Sequence, residues 1–124
     1  MRGFRVWGDY WKKYATEAEL HMDGSVDAIF EDADGVPHHE NTDLVVEFGT
    51  WLKDKNGKEI YDGDIVAYDY GFGMYVVTYR RYDASFVLED DNREEVLKLA
   101  LAGYPFYEVI GNIHENPELC GEEE

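Results

Sequence analysis

Short apolar runs punctuated by Gly, Asp and Asn run through this chain, a patterning of strands more than of helices. Phe4-Arg5-Val6-Trp7 alternates large apolar with other residues ahead of Gly8-Asp9, which predicts a short strand ending in a turn, with Trp11 and Tyr14 continuing its packing. Ala15 to Met22 fits either a helical turn or a strand, and Val26 to Phe30, led in by Asp23-Gly24, fits a strand. Glu31 to Asp43 holds Gly35, Pro37 and few apolar side chains, so it predicts an exposed loop. Leu44 to Phe48 returns to strand patterning before the irregular Gly49-Thr50-Trp51.

Leu52 to Val66 organises the second half of the chain. Asn56-Gly57 predicts a type I′ turn with positive φ at both positions, and Asp62-Gly63-Asp64 predicts a second reversal, leaving Lys58 to Tyr61 as a short strand between them. Ile65 to Tyr70 comes next as a strand with Ile65, Ala67 and Asp69 on one face and Val66, Tyr68 and Tyr70 on the other. Gly71-Phe72-Gly73 reverses the chain into Met74 to Tyr82, the longest predicted strand, and Asp83-Ala84-Ser85 turns it into Phe86 to Glu89. Asn92 with Glu95 forms a capping pair ahead of Val96, Leu97, Ala100 and Leu101, predicting a helix stopped by Gly103 and Pro105. Phe106 to Ile113 is a last strand in which Gly111 marks a bulge or a close backbone approach, and Glu115 to Glu124 is a polar tail fraying beyond Leu119. The expected fold is mainly β, a small antiparallel barrel-like (SH3-like) meander with one short helix in the C-terminal half. Residues 1–119 form a single domain and 120–124 an acidic tail.

Composition changes this picture in three ways. A chain of 124 residues with 44% hydrophobic and 15% aromatic residues can build one core despite its charge, which excludes wholesale disorder. The net charge of -17 disfavours direct binding to nucleic acid, because Lys12-Lys13, the Lys53, Lys55, Lys58 group and Arg80-Arg81 are small clusters set among acids. Cys120 is the single cysteine, which excludes an intramolecular disulfide and suits a reducing cytoplasm. No apolar run has the length of a signal sequence or a spanning helix, so no membrane role is expected.

Candidate chemistry is sparse. Asp54, Asn56 and Glu59 echo a calcium loop, but Lys58 takes a ligand position and Glu59 the place of the required glycine, so turn chemistry is the better account. Asp32, Asp34, His38, His39 and Glu40 offer imidazole and carboxylate ligands for a transition metal, in a loop without an evident rigid frame. Asp62 with Asp64, and Glu89 with Asp90 and Asp91, read as turn and cap residues in a chain this rich in acids, not as acid and base pairs. Cys120 has no basic neighbour in sequence to activate it. Tyr68, Tyr70, Tyr75, Tyr79 and Tyr82 alternate along strands and read as a half-buried sheet surface, since Arg80 and Arg81 cannot alone form the groove a stacked single strand needs.

Three segments carry a resemblance to a known family. Phe4 to Trp7, F-R-V-W, is similar to an opening F-R-A-W. Leu52 to Val66, L-K-D-K-N-G-K-E-I-Y-D-G-D-I-V, differs by one residue from L-K-D-K-N-G-K-E-I-Y-E-G-D-I-V, and Val109 to Leu119, V-I-G-N-I-H-E-N-P-E-L, looks like V-I-G-N-I-Y-E-N-P-E-L. In these the chain resembles the YopX protein family of phages and bacterial prophages, whose biochemical function is not established. Two departures stand out: Phe48-Gly49-Thr50-Trp51 intervenes where the family usually has Phe or Tyr then Thr-Gly, implying a bulged lead-in, and His114 replaces a common Tyr. The resemblance implies a small β-rich fold that self-assembles, and it brings no catalytic, cofactor-binding or metal-ligating residue. The expected function is therefore a non-enzymatic phage or prophage accessory protein in the bacterial host cytoplasm, without cofactor. It would act as a homo-oligomer and bind host protein; the alternative is an acidic mimic that occupies a host DNA- or RNA-binding protein.

Overall fold

The structure, a computed structural model, describes residues 3–68, 73–90, 94–98 and 107–120. The chain packs as two compact units, Met1–Phe48 and Gly49–Glu124. Among the described residues it is mainly β, its sheets are antiparallel, and the 3-10 turn Pro117–Cys120 is the one helical element.

In the first unit β1 (Phe4–Gly8) lies between β2 (Lys13–Tyr14) and the first half of β6 (Leu44–Lys53), with Val6 opposite Val46. A separate three-stranded sheet runs in the order β3 (Glu17–Leu20), β4 (Val26–Glu31), β5 (Pro37–Glu40). Val6, Ala15, Ala28 and Phe30 form the buried core, against which Phe4, Trp11, Val26, Leu44 and Val46 pack. Trp11 stacks on Phe30 with ring centroids 5.7 Å apart, and Trp7 meets Tyr14 edge to face at 5.1 Å, so both aromatics after the first strand join its packing as the pattern predicted.

The second unit holds β7 (Glu59–Tyr61), paired with the second half of β6, and a five-stranded sheet. That sheet contains β8 (Asp64–Tyr68), β9 (Met74–Arg80), β10 (Ser85–Glu89), β11 (Glu95–Lys98) and β12 (Tyr107–Asn112) in the order β11-β10-β9-β8-β12. Consecutive strands from β8 to β11 neighbour one another, which is the expected meander, and β12 adds to the other side of β8. Period-two alternation sends Val66 and Val77 into a core with Ile60, Leu88 and Tyr107, while their neighbours Ile65 and Val76 enter a second core with Ile110, Ile113 and Leu119. Gly111 sits at the β12 register shift, where a Cβ would collide with Asn116 Oδ1, so both readings of that glycine hold.

Several expectations are corrected. The capping pair does not start a helix where the chain is described: Glu95–Lys98 pairs antiparallel with β10, Leu97 opposite Leu88, because the open edge of β10 offers Val96 and Leu97 a ladder. Asn92, Ala100, Leu101, Gly103 and Pro105 lie outside the described residues, as do Tyr70, Gly71 and Phe72. Residues 31–43 are not all loop, since β5 forms within them. The strand from Met74 stops at Arg80, leaving β6 the longest among the described residues. The second reversal is present at Asp62-Gly63, with Gly63 at φ 91°, but the strands it joins do not pair with each other: β7 pairs with β6, and β8 belongs to the five-stranded sheet.

One loop geometry serves three hairpins. In Asp54 to Lys58 the Asp54 N–H donates to the Lys58 carbonyl at 2.7 Å, and the Gly57 N–H donates to the Asp54 carbonyl at 3.0 Å. Only Gly57 of the Asn56-Gly57 pair has positive φ, 83°, so this is not a type I′ turn but a tight turn followed by one left-handed residue. Asp32 to Val36 repeats the pattern with bonds of 3.0 and 2.9 Å, and His21 to Ser25 repeats it at 2.8 and 2.9 Å.

Candidate functional site

Three carboxylates of the Leu52–Val66 segment, those of Asp54, Asp62 and Asp64, accept backbone N–H groups. Asp54 is buried and accepts N–H bonds from Asn56, Lys58 and Val109, each at 2.9 Å. Burial pushes its pKa up, but the three backbone donors and the Lys58 charge outweigh that and hold it below the ordinary carboxylate range. Asp64, also buried, accepts the Tyr61 N–H at 2.8 Å, and Asp62 accepts the Tyr79 N–H at 3.1 Å. Between them, Gly63 donates to the Val77 carbonyl at 2.7 Å and accepts from the Ile113 N–H at 2.9 Å. Asn112 closes the last turn: its Oδ1 accepts from the His114 and Glu115 N–H groups at 3.0 and 2.9 Å, and its Nδ2 donates to Glu115 at 2.7 Å. These groups are acceptors and caps in a scaffold, and the calcium-loop echo resolves into turn geometry.

The five loop residues singled out as metal ligands are not gathered together. Asp32 caps its loop by accepting the Asp34 and Val36 N–H groups, and its other oxygen pairs with His38 Nε2 at 2.9 Å; that bond, with the backbone bonds, depresses the Asp32 pKa. His38 lies 5.1 Å from the Trp11 ring, and Glu40 accepts the Trp11 Nε1–H at 3.0 Å. His39 instead lines a cavity of about 320 Å³ with Glu17, Ala18, Glu19, Asp27 and Ile29. Adjacent strand residues face opposite ways, which is what parts the two histidines.

The sequence pattern passed over a different grouping. Glu17, Glu19 and His21 alternate along and just beyond β3, and Glu19 stands opposite Asp27 in β4. His21 Nε2 lies 2.7 Å from Asp27 Oδ2 and 4.0 Å from Glu19 Oε1. The hydrogen bond to Asp27 raises the His21 pKa above its ordinary value, helped by the charges of Asp27, Glu19 and Asp23 and opposed by desolvation. Also unforeseen was Glu47, a buried acid that accepts from Arg5 Nε at 2.8 Å and the Tyr14 hydroxyl at 2.9 Å.

In the second unit Trp51 is 75% exposed with φ 67°, on the bulge that shifts the β6–β7 register between Gly49 and Lys53. Thr50 fixes that bulge, donating from Oγ1 to the Ile60 carbonyl at 2.8 Å and accepting the Leu52 N–H at 3.1 Å. Glu59 Oε2, under Gly49, is buried with no hydrogen-bond partner among the described residues. Tyr70 lies outside the described residues, and the described tyrosines of the series have different surroundings: Tyr75 packs on the core, Tyr79 lies against Phe86 at 5.2 Å, and Tyr82 is exposed, with the guanidinium of Arg80, itself bidentate to Asp83, over one face of its ring.

The family model for YopX protein matches residues 3–120. The chain belongs to the YopX protein family. Protein EF1440 from Enterococcus faecalis, a crystal structure, is 28% identical with a TM-score of 0.67, covering 97% of this chain and 98% of that one. The crystal structure of protein yopX from Bacillus subtilis is similar in fold at 23% identity and a TM-score of 0.58, over 94% and 96% of the two chains. No curated protein matches the chain. Membership in the YopX family agrees with the geometry of the two distinctive segments, which meet where Asp54 takes the Val109 N–H. No helix among the described residues is long and apolar enough to cross a membrane.

Proposed function

We propose that this YopX-family chain is a non-enzymatic interaction module that pairs with a second copy of itself through the Trp51 bulge, acting as a phage or prophage accessory protein in the host cytoplasm. The observation that carries the reading is Trp51 itself. A bulky residue in the left-handed region costs on the order of 1 kcal/mol, and here the strained backbone, fixed by the Thr50 bonds, holds a large apolar ring in water, where no core packing offsets the cost. Exposed tryptophan is a common anchor of protein contacts. The unpartnered Glu59 oxygen at the foot of the same bulge also supports a surface completed by contact. The buried carboxylates of Asp54 and Asp64 support the non-enzymatic half of the reading, because both accept backbone N–H groups.

Light scattering over a concentration series tests this. Mass should rise above 14.4 kDa as concentration increases and return to it in Trp51→Gly, which keeps the bulge conformation. A mass of 14.4 kDa at every concentration refutes it. A second reading, that the acidic surface occupies a basic host nucleic-acid-binding protein, is favoured by the -17 charge and makes the opposite salt prediction: binding falls as salt rises.

A further inference from the structure

We propose that Glu19, His21 and Asp27 form a binding site for a divalent transition-metal ion, of which zinc is the probe of choice, on the face of the three-stranded sheet that carries the His39 cavity. One ligand atom from each of the three residues already lies within 4.8 Å of the others. Donors bonded at about 2.0–2.2 Å around a tetrahedral ion sit roughly 3.3–3.6 Å apart. The His21–Asp27 and His21–Glu19 separations of 2.7 and 4.0 Å fall either side of that value, so each pair needs to shift by less than about 1 Å.

The backbone holds the set in place. Glu19 and Asp27 are directly opposed in an antiparallel ladder, which fixes their Cβ atoms about 4.5–5.5 Å apart. His21 opens the hairpin loop in the position that Asp32 and Asp54 fill in the other two loops. Those aspartates spend their side chains capping their own turns, whereas in this loop Asp23 caps Ser25, freeing the imidazole to turn back onto the sheet. An imidazole with two carboxylates is a donor set for zinc and its neighbours, where calcium and magnesium take oxygen alone.

A second observation points the same way. The cavity of about 320 Å³ is lined by Glu19 and Asp27 together with Glu17 and a second imidazole, His39, contributed by the third strand at the position opposite Ile29. Three strands thus direct His39 and the carboxylates of Glu17, Glu19 and Asp27 toward this concavity, and His21, which does not line it, reaches Asp27 from the loop just beyond β3. The Asp32–His38 pair is separate, since one Asp32 oxygen is engaged by two backbone N–H groups.

Calorimetric titration of the full chain with zinc chloride at neutral pH, in a chelator-free buffer, tests the site. The expected result is one equivalent bound per chain. Affinity should fall about tenfold or more in His21→Gln and in Asp27→Asn. His38→Ala should bind as the parent does. Absence of binding, binding unchanged by His21→Gln, or binding abolished by His38→Ala would each overturn the site. Circular dichroism of each variant confirms that the comparison is between folded chains.

Discussion

The Asp54 carboxylate accepts the backbone N–H of Val109 at 2.9 Å, across 55 residues of chain. The same side chain holds the Asn56 and Lys58 N–H groups, so one buried acid both shapes the hairpin loop and fastens it to β12, beside a bond from the Lys55 N–H to the Tyr107 carbonyl at 2.8 Å. Asp54→Ala leaves the N–H groups of Asn56, Lys58 and Val109 without this acceptor and should destabilise the fold by about 1–3 kcal/mol, read from urea unfolding midpoints. Asp54→Asn, which keeps one acceptor oxygen, should lose less.

The depressed Asp54 pKa fixes the sign of its pH dependence. Its contribution is complete above the unfolded value of about 3.9 and disappears as pH falls through the lower folded value. The stability gap between parent and Asp54→Asn should therefore be flat at and above pH 6 and narrow in acid. A gap that widens below pH 4 would contradict this.

His21 works in the opposite direction. A folded pKa above the ordinary 6.5 means that its pairing with Asp27 stabilises the β3–β4 hairpin fully below the unfolded value and is lost as pH rises through the folded one. A proton NMR titration should place the His21 midpoint above that of a model imidazole, and Asp27→Asn should bring it back. A midpoint at or below 6.5 in the parent would show that the pair does not form.

Gly111→Ala drives a Cβ into Asn116, whose Oδ1 accepts the Asn112 N–H at 3.2 Å. Overpacking of this kind costs about 1–3 kcal/mol, and thermal melts should show it. Combining it with Asn116→Gly should be less damaging than the two losses added together, because the colliding side chain is gone.

Most strands were legible because apolar alternation and Gly-Asp turns act locally: β1, β4, β8 to β10 and β12 fall where the pattern put them, and the irregular Gly49-Thr50-Trp51 is a bulge. β5 was hidden because an edge strand opening on Pro37 and bearing His38, His39 and Glu40 has the composition of a loop. β11 was read as a helix because Val96 and Leu97 satisfy both periods over so short a run, and the deciding partner, β10, is a matter of tertiary pairing. The assignment of β7 and β8 to different pairings has no local signal either. Of the side-chain groupings, Glu19 with Asp27 needed the register of a hairpin whose first strand was ambiguous between helix and strand. Trp51 showed itself in sequence only as an irregularity. Its exposure comes from a backbone conformation that tryptophan rarely adopts.

The salt dependence of mass in solution tests self-association through Trp51 most directly. Two chains of net charge -17 repel, so screening should favour apolar contact between copies. At fixed protein concentration, light scattering should show mass increasing from about 0.05 M to about 0.5 M salt, with Trp51→Gly remaining at 14.4 kDa throughout. A parent chain that stays at 14.4 kDa at both salt concentrations, or a Trp51→Gly variant that associates as the parent does, would contradict the account.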